Sequence, residues 1–169
     1  MLFTKKTAHY KRVEEFMRRA GNIRGDGHDL PKRPIFPSAK VRILRARLVL
    51  EESLETIEAL GVTVTAVTLE RRHSHSLCAD LTDLTFSAEM RESPESLRNI
   101  ADGCADLHVV TTGTLIACGI PDDVLQRTVD LNNLEKFGEG AYVREDGKII
   151  PPDGFVKAGP AIGRIIRAL

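Results

Sequence analysis

Three observations on the 169-residue chain predict a mostly α-helical fold. Apolar residues recur at three- and four-residue spacing along the stretches near 8–20, 39–60 and 94–118. Helix start and stop signals bracket the later stretches: Ser38 and Gly61, Ser93-Pro94-Glu95 and Gly119, Pro121-Asp122-Asp123 and Gly138. Runs rich in β-branched residues are few and short. The expected architecture is a helical bundle with a small β-hairpin insertion, folded as one domain over residues 1–169. Its parts are an N-terminal helix and loop (1–37), a helical core (38–137), and a C-terminal hairpin and tail (138–169).

Residues 8–20 form the first amphipathic pattern, with Val13, Phe16 and Met17 at core spacing and Gly21 as the expected stop. Residues 21–37 carry Gly21, Gly25, Gly27, Pro31, Pro34 and Pro37, which predicts an extended loop. Ser38 then caps a helix over about 39–60, with Val41, Leu44, Leu48, Leu50, Leu54 and Ile57 as its apolar stripe. The β-branched run 62–69 predicts a strand, 70–82 a polar loop, and 83–89 the returning strand of a hairpin. Ser93-Pro94-Glu95 places a cap, a first-turn proline and an acid at the start of a helix reaching about Cys118. A further helix is expected over 122–136. Tyr142-Val143-Arg144 and Lys148-Ile149-Ile150 flank Glu145-Asp146-Gly147, the signature of a tight hairpin. A short helix near 160–168 ends the chain.

The formal net charge is +0, so the chain as a whole does not advertise binding to a nucleic-acid polymer or a membrane surface. No apolar run reaches the roughly 18 residues of a membrane span, and Met1–Lys6 lacks a signal-peptide core. The three cysteines, Cys78, Cys104 and Cys118, are odd in number and lack paired spacing. They predict a reducing, cytoplasmic setting, with Cys104 and Cys118 as small core residues.

Two helical stretches carry carboxylates in unusual places. Glu51 and Glu55 share a helix face, and Glu52 neighbours Glu55; Asp102 and Asp106 share another. No Lys or Arg occurs from 48 to 69 to pair with the first group. The second lies in Ile100-Ala101-Asp102-Gly103-Cys104-Ala105-Asp106-Leu107, otherwise apolar or small. Carboxylates beside a buried stripe need a partner or a metal, and hard oxygen ligands select Mg²⁺ or Mn²⁺. The bland alternative is a solvated acidic face. Gly103 in mid-helix costs about 1 kcal/mol relative to alanine, which close approach of a neighbouring helix or a ligand would explain.

Four segments in order resemble the all-α nucleoside triphosphate pyrophosphohydrolases, the MazG-like and phosphoribosyl-ATP pyrophosphohydrolase-like group. Leu48-Val49-Leu50-Glu51-Glu52-Ser53-Leu54-Glu55 is similar to the family's E-E-x-x-E helix. Ala101-Asp102-Gly103-Cys104-Ala105-Asp106-Leu107 is similar to its second acidic helix, with Asp102 standing four rather than three residues before Asp106. Val129 to Phe137 resembles the Asn-x-x-Lys segment, and Arg144-Glu145-Asp146-Gly147-Lys148 the R-x-D-G-K turn. The connection between the acidic helices is longer than the family's usual one.

The resemblance implies metal-dependent cleavage of a nucleoside triphosphate between its α- and β-phosphates. Glu51, Glu52, Glu55, Asp102 and Asp106 would hold two or three Mg²⁺ or Mn²⁺ ions, with Glu51 either a ligand or the base that orients water. Asn133 and Lys136, with Arg144 and Lys148, would meet phosphate, and Phe16 would stack on the base. On pattern alone, Lys136 is simply a cation near a helix C-terminus. Guanine nucleotides such as dGTP are among the substrates the family implies, as are dimers or tetramers and a bacterial or bacteriophage setting. Two other readings compete: phosphoribosyl-ATP pyrophosphohydrolase, and a metal-stabilised helical interaction module without turnover.

Other residues carry weaker signals. His73 and His75 form H-x-H, but a structural zinc site wants four ligands and only Cys78 is near, so a solvated basic loop is expected. Arg42, Arg45 and Arg47 read as surface or interface residues, with Arg45 or Arg47 within possible reach of phosphate. His108 reads as core or interface.

Overall fold

The structure is a computed structural model describing residues 5–24, 30–66, 84–88, 94–145 and 147–169. It is mostly helical with a small β-hairpin. In chain order the elements are α1 (Ala8–Arg24), α2 (Ala39–Ala59), β1 (Val62–Ala66), β2 (Leu84–Ala88), α3 (Pro94–Ala117), α4 (Asp122–Leu134), β3 (Tyr142–Val143), β4 (Ile149–Ile150) and α5 (Gly159–Ala168). The expected loop 70–82, with His73, His75 and Cys78, lies outside the described residues, as does Ser93.

The chain divides into two compact units. One comprises Met1–Arg42 with Thr112–Leu169, the other Ile43–Thr111.

The first unit holds most of the buried apolar side chains: Tyr10, Val13 and Met17 of α1, Ile116 and Ala117 of α3, and Ile165 of α5. Thr7 caps α1 by accepting the Tyr10 amide at 3.1 Å. The Thr7 hydroxyl also donates to a carboxylate oxygen of Asp122, and its amide donates to the other at 3.0 Å, joining the starts of α1 and α4. α3 ends in a Schellman turn: the Ile120 amide reaches Leu115 O at 2.9 Å and the Gly119 amide reaches Ile116 O at 2.9 Å. Gly119 takes φ 70°, and a Cβ there would stand 2.2 Å from the Arg33 carbonyl oxygen, so both backbone and space demand glycine. In the second hairpin, the Arg144 amide reaches Lys148 O and Gly147 turns the chain at φ 80°.

In the second unit, the helical residues 43–59 and 94–111 are joined through the antiparallel pair β1–β2, in register Val62↔Ala88 through Ala66↔Leu84. Gly61 at φ 69° closes the far end of α2; its start lies in the first unit, where the Ser38 hydroxyl accepts the Val41 amide at 3.4 Å.

Several expectations are corrected. α1 runs past Gly21 to Arg24, because Gly21 keeps helical backbone and is buried rather than turning the chain. The last turn expected of α4 is instead a 3-10 turn, Glu135–Phe137. Phe16, Leu50 and Leu54 are exposed, at 63%, 56% and 54%, despite their core spacing. Helical periodicity gives a face, and these faces have no packing layer over them within the chain's own units. Cys104 is exposed and Cys118 half-buried, so neither is a core cysteine.

Candidate metal and nucleotide site

All five candidate metal ligands fall in the Ile43–Thr111 unit. α2 and α3 bring them together by one close contact. A Cβ on Gly103 would stand 2.9 Å from Thr56 Oγ1 and 3.2 Å from Thr56 Cα, so the two helices touch backbone to backbone there. Thr56 is the buried residue of α2, and its hydroxyl is satisfied by donating to Glu52 O at 2.7 Å. The mid-helix glycine thus has the helix-approach explanation. Glu52 lies one turn before this contact on α2, within electrostatic reach of Glu55, Asp106, Glu51 and Asp102.

The electrostatics report that convergence. The Glu52 carboxyl is pushed above the usual carboxylate range, first by partial burial, then by the charges of Glu55, Asp106, Glu51 and Asp102. Among the described residues none of the five carboxylates forms an ion pair with a basic side chain. Glu51, Glu55, Asp102 and Asp106 are exposed and Glu52 is half-buried, which corrects the expectation of a buried cluster.

The donor set fits a hard divalent cation: carboxylate oxygens only, from two helices locked at Thr56–Gly103. Among the described residues no three His, Cys, Asp or Glu side chains stand close enough together to ligate one ion.

A cavity of about 440 Å³ opens beside this cluster, lined by Glu55, Asp102 and Asp106. It also takes in Glu58, Ser96 and Asn99, which the sequence reading missed. Their signal was spacing alone: Ser96, Asn99, Gly103 and Asp106 step by three and four along one face of α3, and Glu58 extends the Glu55 face.

The candidate phosphate and base residues belong to the other unit. Lys136 Nζ donates to Asn133 Oδ1 at 2.8 Å, so these two do share a face. The neighbouring Asn132 is engaged structurally, donating to Val156 O at 2.8 Å. Arg144 and Lys148 lie on exposed positions of the β3–β4 hairpin, and Phe16 on the exposed side of α1.

No family model matches the chain, and no characterised protein matches it significantly.

Proposed function

We propose that the chain is a metal-dependent nucleoside triphosphate pyrophosphohydrolase, releasing a nucleoside monophosphate and pyrophosphate. One observation carries the reading: Glu52 lies within electrostatic reach of four further carboxylates on two helices held in backbone contact, and no ion pair to a basic side chain joins any of the five among the described residues. Such repulsion is a standing cost that a divalent cation relieves. The ordered resemblance of four segments supplies the reaction.

Glu52, Glu55 and Asp106 would hold Mg²⁺ or Mn²⁺, with Asp102 beside them; Glu51 would complete the set or orient water. When bound, the metal neutralises phosphate charge and lowers the pKa of coordinated water. Asn133 offers a neutral amide donor and Lys136 a point charge to phosphate oxygens, the roles the resemblance assigns them. We place the protein in a cytoplasmic, reducing setting; among the described residues no single helix is long and apolar enough to cross a membrane. We also propose that it self-associates as a dimer or tetramer.

The test is product analysis. The purified protein is incubated with Mg²⁺ or Mn²⁺ and each common ribo- and deoxyribonucleoside triphosphate. Monophosphate with pyrophosphate is the expected pair. Diphosphate with phosphate rejects cleavage at the α–β linkage. Metal binding with no turnover of any triphosphate rejects the proposed substrates and turns attention to phosphoribosyl-ATP or to a non-catalytic module.

A further inference from the structure

The cavity does not end at the carboxylates assigned to cations. One turn beyond Glu55 on α2 it is lined by Glu58; one and two turns beyond Asp102 on α3 it is lined by Asn99 and Ser96. Ala59, Leu60 and Ile100 complete this far end. Its chemistry differs from that of the near end. A single carboxylate stands among neutral hydrogen-bonding groups and apolar side chains able to cover a ring face. The volume of about 440 Å³ lies inside the range of small-molecule sites, roughly 300–1,000 Å³.

We propose that this end of the cavity receives the nucleotide base and that Glu58 selects guanine. The proposal rests on the nucleotide reading above and adds the residue that sets specificity. An ionised carboxylate only accepts hydrogen bonds, through two adjacent oxygens. Guanine is the common base with two donors side by side on its pairing edge, N1–H and N2–H₂. Adenine and cytosine set a donor beside an acceptor, and uracil and thymine flank one donor with two acceptors. Glu58 therefore pairs bidentately with guanine and meets an acceptor lone pair in each of the others. Guanine O6 lies next to those donors and requires a donor in turn. Asn99 supplies it: Arg98 Nη2 donates to Asn99 Oδ1 at 3.5 Å, which leaves the Asn99 amide N–H₂ to give.

The experiment measures binding rather than turnover. Calorimetric titration of the full chain in Mn²⁺ with dGMP, dAMP, dCMP and dTMP is compared between wild type, Glu58→Gln and Asn99→Ala, with Mn²⁺ alone titrated into each and folding checked by circular dichroism. Wild type is expected to bind dGMP about tenfold or more tightly than the others, the worth of one good bidentate base contact. Glu58→Gln, which turns one acceptor into a donor, is expected to lose that preference with Mn²⁺ affinity unchanged. Asn99→Ala is expected to weaken dGMP alone. Equal binding of the four monophosphates by wild type, or a dGMP preference that survives Glu58→Gln, overturns the assignment. So does weakened Mn²⁺ binding in Glu58→Gln with all four monophosphates affected equally, which makes Glu58 a cation ligand. Hydrolysis of triphosphates without dGMP preference sinks the guanine assignment and leaves the hydrolase reading standing. Selective dGMP binding through Glu58 without hydrolysis does the reverse.

Discussion

At the scale of single residues, like charges gathered on one pair of helices oppose stability. Glu52 carries the clearest case, held above its usual range by burial and four like charges. Its folded-state pKa is raised, so the folded protein binds the proton more tightly than the unfolded chain. Stability therefore falls as pH rises from the usual carboxylate range through the raised value. Glu52→Gln removes that repulsion. It is expected to raise the melting temperature of the metal-free protein while lowering triphosphate hydrolysis more than about 100-fold, since even residues behind metal ligands cost 10–100-fold. Melting curves in chelator, set beside initial rates in Mn²⁺, check both halves; equal melting of variant and wild type would remove Glu52 from the cluster. Tyr10 gives a second pH dependence. Burial, then Glu14 and Asp122, push its hydroxyl from 10.0 to about 12. The unfolded chain loses this proton first, so the folded state is expected to lose roughly 2–3 kcal/mol between those two pH values. Denaturant unfolding across that window should show the decline in wild type and not in Tyr10→Phe.

At the scale of elements, the contact of α2 with α3 sets the spacing of the two acidic helices. Alanine is the best helix former, yet Gly103→Ala is expected to destabilise by about 1 kcal/mol. The new Cβ meets Thr56 Cα at 3.2 Å, and backbone cannot rotate aside as a side chain can. The helix-propensity gain of about 1 kcal/mol offsets only part of that overpacking. Urea unfolding measures the sign; stabilisation by alanine would mean the helices do not touch there. Element types and most ends were legible in the sequence because local chemistry makes them. Gly61 and Gly119 adopt the left-handed turns that their position after periodic residues implied, and Gly147 the one that the Glu145-Asp146-Gly147 turn signal implied. Gly21 misled because a glycine stops a helix only where the chain turns, and a buried glycine inside α1 gives the same letter. The acidic pairs were legible through spacing and missing counter-charges. Glu58 and Asn99 were not, because an exposed acid and an exposed amide on a helix are ordinary until a cavity joins them.

At the scale of the whole molecule, burial was the least legible property. Phe16, Leu50, Leu54 and Cys104 all have core-like chemistry and are exposed in the single chain, since a sequence marks an apolar face without naming what covers it. Within the Ile43–Thr111 unit, Leu50, Leu54, Leu60 and Leu97 are each more than half exposed. Monomers seldom leave so much apolar side chain in water. The proposed self-association predicts a light-scattering mass two or four times that of the 18.7 kDa chain. Leu54→Lys is expected to shift it toward one chain, and a wild-type mass of one chain at micromolar concentration would end the proposal.

The β1–β2 pair gives the acidic helices a form of insurance. Its register, Val62↔Ala88 to Ala66↔Leu84, fastens the chain within a few residues of the end of α2 and of the start of α3. Loop-closure entropy grows only slowly, about 0.6 kcal/mol for each doubling of length. At that rate a longer or shorter connection from Ala66 to Leu84 changes the cost of closing the pair only slightly, and Glu52 and Asp106 keep their places on α2 and α3.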